Sequence, residues 1–305
     1  MGTKPYIYTL LFITLLFLLP SLNLSLSPPP PPQQRRCYPD DERALLQIKA
    51  YFGSNLSMFS TWTSQNGCCN KWSGVLCKKI PKTNIHRVNF LEIIGSDEVV
   101  GTIPTTLNKL PYLETLILRL LPNLTGPIPP VIGNLTRLTY LSLNWDGLNG
   151  PIPNFLSQLT NLVVLSLNNN RFTGSIPAFL GQLPKLQGVD LQENQLTGRI
   201  PETFGLFAND SQINLYNNKL SGTIPKSLGK INFESLDLSG NQLIGDASFL
   251  FGEDKSNLAH LILSRNRLSF DFSKVVMPVG QLNSSLSVLE LSHNQIYGSL
   301  PTWLG

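Results

Sequence analysis

The sequence is poor in charge. Only 14% of its 305 residues are Asp, Glu, Lys or Arg, against about a quarter in an ordinary soluble domain. The net charge is +4 and no block of like charges occurs, Arg35 and Arg36 being the nearest approach to one. A nucleic-acid partner is therefore unsupported. The three histidines, His86, His260 and His293, are too scattered to seed a metal site or a Ser-His-Asp set. Long apolar runs are also missing: the longest, Ile7 to Leu19, falls short of the roughly 20 residues that a membrane span needs. It follows a lone early charge, Lys4, and precedes Pro20 and a Ser/Leu/Asn stretch, which is the pattern of a signal peptide. The expectation is a signal peptide over residues 1–26, cleaved around Ser25 to Ser27, and an extracellular product without a membrane span.

Cysteine is scarce, and every one lies before residue 78: Cys37, Cys68, Cys69 and Cys77. An even number in an oxidising compartment predicts two disulfides. The neighbours Cys68 and Cys69 could bond each other only with strain. That leaves Cys37–Cys68 with Cys69–Cys77, or the crossed pairing. A zinc site is set aside because secreted cysteines oxidise, so neither a metal nor a cofactor is expected.

What the chain does have is a repeat. "LVVLSLNNNRFTGSIPAFLGQL" from Leu162 is followed 24 residues later by "LQGVDLQENQLTGRIPETFGLF". The Gly before each x-Ile-Pro falls at Gly101, Gly126, Gly150, Gly174, Gly198 and Gly222, in steps of 24 or 25. An Asn closes Leu-x-Leu-x-x-Asn at Asn170, Asn194, Asn218, Asn241, Asn266 and Asn294, with Asp146 in that place once. Fixed spacing of this kind is the mark of a solenoid.

Each coil reads in three parts. In "VLSLNNN" Leu165 and Leu167 point inward and Val164 and Ser166 outward, as in a short strand. The Asn turns into the coil, where its amide donates to and accepts from backbone groups of its own and the neighbouring turn; this role is structural, not catalytic. Gly174 allows the next turn, Ile176 returns to the core, Pro177 ends pairing, and "AFLGQL" comes back as a short helical turn. The expected fold is an α/β solenoid, a right-handed superhelix with a parallel sheet on its concave face. No coil buries its own leucines, so the ends need caps.

The domain reading is a proline-rich leader over 27–36, stiffened by five consecutive prolines, a capping domain over 37–83 and about nine repeats over 84–305. In the cap, "DDERALLQIKAYF" predicts an amphipathic helix from near Asp40 with Ala44, Leu45, Ile48 and Phe52 on one face. Trp62 and Trp72 join it over the first coil, whose imperfect strand holds Val88, Phe90 and Leu91. The sequence stops at Gly305 inside a ninth coil without a cysteine or polar cap. The expectation is that more chain or a partner covers that end.

Several stretches resemble one family. They are "CYPDDERALLQIKAYFG", "CCNKWSGVLC", "GPIPPVIGNLTRLTYLSL", "GDASFLFGEDKSN", "SRNRLSFDFSKV" and "HNQIYGSLP". Set in L-x-x-L-x-L-x-x-N-x-L-x-G-x-I-P repeats, they are similar to the plant polygalacturonase-inhibiting proteins, which are extracellular leucine-rich repeat proteins. The resemblance implies an N-terminal cap closed by Cys37–Cys68 and Cys69–Cys77, and a secreted polygalacturonase as protein partner. It also implies a wall-associated defensive role. A floral-development subgroup shares the architecture. The other reading is therefore a signalling component that recognises a peptide or a receptor kinase ectodomain. Pectin is a further candidate ligand.

The partner-binding residues expected on the concave face are those between and beside the strand leucines. They are Tyr140, Ser142, Asn144 and Trp145; Val164, Ser166 and Asn168; Gly188, Asp190, Gln192 and Glu193; Gln212, Asn214 and Tyr216; Ser235, Asp237 and Ser239; and His260, Ile262, Ser264 and Arg265. Trp145 and Tyr216 are the aromatic anchor candidates, and Asp190 and Asp237 the groups to meet basic side chains. No catalytic residue is assigned: Asp190, Asp237 and Glu290 fall on different coils of an open surface, where nothing in the pattern desolvates one of them to raise its pKa. Glycan acceptors of the N-x-S/T type are Asn55, Asn123, Asn134, Asn209 and Asn283.

Overall fold

A computed structural model describes residues 37–63, 67–277 and 286–304. The expected signal peptide, the proline leader and the sequon at Asn283 lie outside the described residues. Helix α1 spans Pro39–Phe52, with Pro39 in its first turn beside Asp40, Asp41 and Glu42. Acids there meet the positive end of the helix dipole, and Pro has no N–H to leave unpaired. Ala44, Leu45, Ile48 and Phe52 are buried, as their spacing predicted. Beneath them Trp62 and Trp72 are stacked with ring centroids 5.3 Å apart. Their ring nitrogens donate to Ser73 O (2.9 Å) and Thr63 O (3.1 Å), so two large apolar rings are buried without orphaned donors.

Cys37–Cys68 and Cys69–Cys77 are bonded, which is the pairing the family resemblance implied. A buried ion pair then fixes the cap to the first coil. Arg87 donates to both oxygens of Asp41, at 2.9 and 2.7 Å, and the Val88 N–H donates to the same carboxylate at 2.9 Å. The Arg87 guanidinium lies 4.3 Å from the ring centres of both Tyr38 and Tyr112.

Among the described residues ten strands form one sheet. They are β1 (Val75–Lys79), β2 (His86–Ile94), β3 (Thr115–Arg119), β4 (Tyr140–Asn144), β5 (Val164–Ser166), β6 (Gly188–Asp190), β7 (Gln212–Asn214), β8 (Ser235–Asp237), β9 (His260–Ile262) and β10 (Val288–Glu290). Strand β1 pairs with β2 antiparallel, and every later pair is parallel and in sequence order. Leu116, Leu141, Leu165, Val189, Ile213, Leu236, Leu261 and Leu289 stand side by side on successive strands. All but Leu289 are fully buried in the core.

The asparagine ladder holds these coils together. Asn170 Nδ2 donates to Leu143 O (2.7 Å), Leu167 O (3.2 Å) and Asn168 O (3.1 Å), while its Oδ1 accepts from Leu148 N (3.1 Å). Asn194, Asn218, Asn241, Asn266 and Asn294 donate to three carbonyls in the same way. One side chain thus pairs four backbone groups that the turn would otherwise bury unsatisfied.

Past each Asn the chain forms a second set of parallel ladders that the sequence did not suggest. Thr125–Gly126, Gly147–Pro151 and Arg171–Thr173 make one, and Thr197–Gly198, Lys219–Thr223, Gln242–Gly245 and Arg267–Leu268 the other. Then Pro104, Pro129, Pro153, Pro177, Pro201 and Pro225 each lead into a 3₁₀ turn, Ala178–Gln182 being the one expected. These turns pack closely: a Cβ on Gly181 would stand 2.1 Å from Thr203 O. Paired strands sit about 4.8 Å apart, less than the bulkier back requires, so the stack bends with the ten-stranded sheet inside.

The first coil departs from expectation. A register shift in the β1–β2 pairing puts one extra residue into β2, between Val88 and Phe90. Val88 and Leu91 both enter the core, and Phe90 instead starts the outer row that continues through Thr115 and Tyr140.

Candidate functional site

Alternation along each strand divides the inner face into rows that run across the coils. The first row is Phe90, Thr115, Tyr140, Val164, Gly188, Gln212, Ser235, His260 and Val288. The second is Glu92, Ile117, Ser142, Ser166, Asp190, Asn214, Asp237, Ile262 and Glu290. Two residues further on come Asn144, Asn168, Gln192, Tyr216, Ser239 and Ser264, whose carbonyls or amides continue the ladder. A final row, Leu120, Trp145, Asn169, Glu193, Asn217, Gly240, Arg265 and His293, closes each strand with φ between 50° and 66°.

That last row is informative. A left-handed conformation costs a residue with a side chain roughly 1–2 kcal/mol, and glycine appears only at Gly240. The turn persists where Leu121 or Asp146 stands in place of the ladder asparagine, and from Leu120 to Arg265 the N–H at this position donates to a carbonyl of the next coil in every case. Trp145 and Leu120 are thereby held out of the coil, 57% and 45% exposed, as an apolar corner beside the inner face. Leu120, Asn169, Asn217, Thr115 and Ile117 were missed by the sequence reading. Extending the same period one coil toward the N-terminus, and one residue further along each coil, would have found them.

All the expected inner-face positions from Tyr140 to Arg265 lie on these rows. Five of them are not open contact groups. Ser142, Ser166, Asn168, Ser239 and Ser264 are buried, because short side chains between taller neighbours form the floor of the face. They are committed to a hydrogen-bonded lattice. Asn144 Nδ2 donates to Ser142 Oγ (2.9 Å), and Asn168 Nδ2 to Ser166 Oγ (3.1 Å) and the Asp190 carboxylate. Asp237 accepts from Ser239 N (2.9 Å) and Oγ (2.5 Å). Asn217 Nδ2 donates to Glu193 at 2.7 Å, and Gln212 Nε2 to Glu234 at 2.9 Å. The surface is set before any partner arrives.

Against the sequence expectation, Asp190 and Asp237 are desolvated, because the inner face sinks them among their neighbours' side chains. Burial pushes the Asp190 carboxyl above its ordinary range, against the pull of donors from Asn168, Gln192 N and Ser166, and the charge of Asp237 adds to the rise. Asp237 is also raised, first by burial and then by Glu290, against two bonds from Ser239. Among the described residues no Lys, Arg or His forms an ion pair with either. They stand on β6 and β8 with Asn214 between them, an arrangement suited to receiving cationic groups. The three buried cysteines close enough to share a metal, Cys37, Cys68 and Cys69, are engaged in the two disulfides. Among the described residues no helix is long and apolar enough to cross a membrane.

Four of the five sequons fall on described residues. Asn55, Asn123, Asn134 and Asn209 are exposed and away from the inner rows. Asn123 and Asn209 already use their amides, Nδ2 donating to Asp97 O (2.6 Å) and Oδ1 accepting from Asn232 N (3.0 Å).

Known proteins match this description. Residues 39–78 fit the leucine rich repeat N-terminal domain, and 160–201, 211–231 and 285–305 fit leucine rich repeats. A polygalacturonase inhibitor of Pyrus communis is 55% identical over 266 residues, 87% of this chain and 77% of that protein. The leucine-rich repeat protein FLOR 1 of Arabidopsis thaliana is 52% identical over the same shares to within one per cent. Among solved structures, a plant ice-binding protein superposes with a TM-score of 0.80 at 42% identity, covering 88% of this chain and 83% of that one.

Proposed function

Since this chain belongs to the polygalacturonase inhibitor family of leucine-rich repeat proteins, we propose that it binds a secreted polygalacturonase and blocks it, as a non-enzymatic defence protein of the plant cell wall. The observation that carries the reading is the 55% identity to named inhibitors along 87% of the chain. The inner face supports it physically. A rigid, prearranged surface avoids the ordering cost of binding, and Trp145, Tyr140 and Tyr216 supply the aromatic area that dominates interface energies. Two disulfides fit an extracellular setting.

The contact strip comprises the exposed and half-buried members of the four rows, from Tyr140 and Trp145 to His260 and Arg265. Asn55 and Asn134, whose amides no other residue holds among the described bonds, are the favoured glycan sites. The test is direct. Purified protein is titrated into fungal polygalacturonases while reducing ends released from polygalacturonate are measured. Saturable inhibition of at least one enzyme supports the reading. Neither inhibition nor binding across a broad panel refutes it and favours recognition of a peptide or receptor ectodomain.

A further inference from the structure

The second ladders present a face that the inhibitory reading leaves unused. Gly126, Gly150, Gly174 and Gly198 each turn there with φ between 76° and 82°. Each also lies under a side chain from the coil before. A Cβ on Gly126 would meet Thr102 Cγ2 at 3.1 Å. Those on Gly150, Gly174 and Gly198 would meet the Cβ atoms of Pro127, Pro151 and Ser175 at 3.6, 3.7 and 3.6 Å. The notch that each glycine would leave is thus filled by its neighbour, and successive coils meet evenly.

The side chains flanking these glycines and Gly101 form two files. Val100, Thr125, Asn149, Thr173 and Thr197 precede them, and Thr102, Pro127, Pro151 and Ser175 follow. All are exposed and uncharged, and Arg199 is the first charge in either file. Arg171 stands at the border, beside Asn149. Register sets Pro151 beside Thr173 and Ser175 beside Thr197, about 4.8 Å apart as paired strands are. Thr125 and Thr197 each donate Oγ1 to a glycine carbonyl of the preceding coil, Gly101 and Gly174, at 3.3 Å. Their rotamers are therefore fixed, with hydroxyl and methyl held at repeating places on a rigid backbone.

This chemistry narrows the occupant. A protein partner would be gripped by aromatic anchors, and neither file has one. A flat sugar surface is gripped by stacked aromatic rings, which are missing for the same reason. An acidic polymer needs Lys or Arg, and none stands in the files before Arg199. Short hydroxyl and methyl groups at a fixed repeat instead suit water itself. The hydroxyls anchor first-shell molecules, and the methyls and prolines oblige the water between them to bond sideways to other water. That is the bonding of a crystal surface.

We infer that this strip is an ice-binding face, adsorbing to growing ice crystals through a water layer ordered by the two files. It uses a different sheet from the proposed enzyme contact, so one activity can be lost without the other.

The experiment freezes wild type, Thr173→Arg and Gln212→Arg in sucrose solution and follows ice grain size during annealing, with serum albumin at equal mass as the blank. Wild type should hold the grains small. Thr173→Arg sets a charge and a long side chain in the middle of the strip. It should keep the wild-type melting temperature and any wild-type inhibition of polygalacturonase. The concentration needed to halve grain growth should rise about tenfold or more. Gln212→Arg, on the inner sheet, should leave grain growth at the wild-type level. Wild type no better than albumin refutes the ice-binding face and leaves the enzyme-binding reading standing. Thr173→Arg within about twofold of wild type, or Gln212→Arg as damaging as Thr173→Arg, puts any effect elsewhere and refutes it too.

Discussion

Asp146 occupies the place that asparagine holds in the coils around it, and Asp146→Asn is expected to stabilise the protein in a pH-dependent way. In a neighbouring coil Asn170 accepts one N–H and donates to three carbonyls. Asp146 keeps the acceptor half, its Oδ1 taking the Leu121 N–H at 3.0 Å. Its Oδ2 is buried and has no partner among the described residues. Burial pushes the carboxyl up to about 8 from an ordinary 3.8, only partly opposed by the Leu121 N–H. Below 3.8 the folded and unfolded chains both carry the proton, and no penalty arises. Between 3.8 and about 8 only the unfolded chain releases it, so stability falls as pH rises through that window, and above it the loss is complete. At pH 7 the distance from 3.8 is just over three units, so about 1.4 kcal/mol per unit sets a ceiling of about 4 kcal/mol. Local relaxation brings the expected figure nearer 2 kcal/mol, the cost of one buried unsatisfied group.

Asparagine restores the donor and removes the titration. The gain of Asp146→Asn should thus be small at pH 4 and reach about 2 kcal/mol at pH 8, or roughly 3–4 °C in melting temperature at about 2.1 cal/mol/K of unfolding entropy per residue. Thermal unfolding of both proteins at the two pH values measures this. Equal gains at both values, or a variant less stable at pH 8, would refute the reasoning.

Two further perturbations probe the scaffold. Asn194→Ala strips Phe172 N of its acceptor and three carbonyls of their donor, which should cost about 3 kcal/mol in urea denaturation. Asp41→Ala leaves Arg87 half-buried without its partner and the Val88 N–H unmet. A loss of about 3–5 kcal/mol is expected, with amide exchange rising in α1 before it rises in β5–β9.

Much of the fold was legible because its stabilising units recur at a fixed period. Leu165 and Asn170 have counterparts 24 residues on, so one coil describes the rest. The extra residue in β2 was illegible, since it occurs once and only pairing with β1 reveals it. The ladders behind the asparagines were illegible for another reason. Segments such as Arg171–Thr173 are two to five residues long and pair only with the next coil, so no local alternation marks them. At the inner face, position was readable and depth was not. Ser166 and Val164 alternate identically with the leucines, yet the serine lies sunk between taller neighbours.

One comparison bears on the account above all others. Gln212 is exposed on the inner face and Gln195 is exposed on the second ladder side of a neighbouring coil. Each is changed to Arg, and the inhibition constant toward the same polygalacturonase is measured with folding checked by melting temperature. Gln212→Arg should raise that constant by about tenfold or more, and Gln195→Arg should leave it unchanged. Equal effects, or a loss confined to Gln195→Arg, would contradict an enzyme seated on the inner sheet.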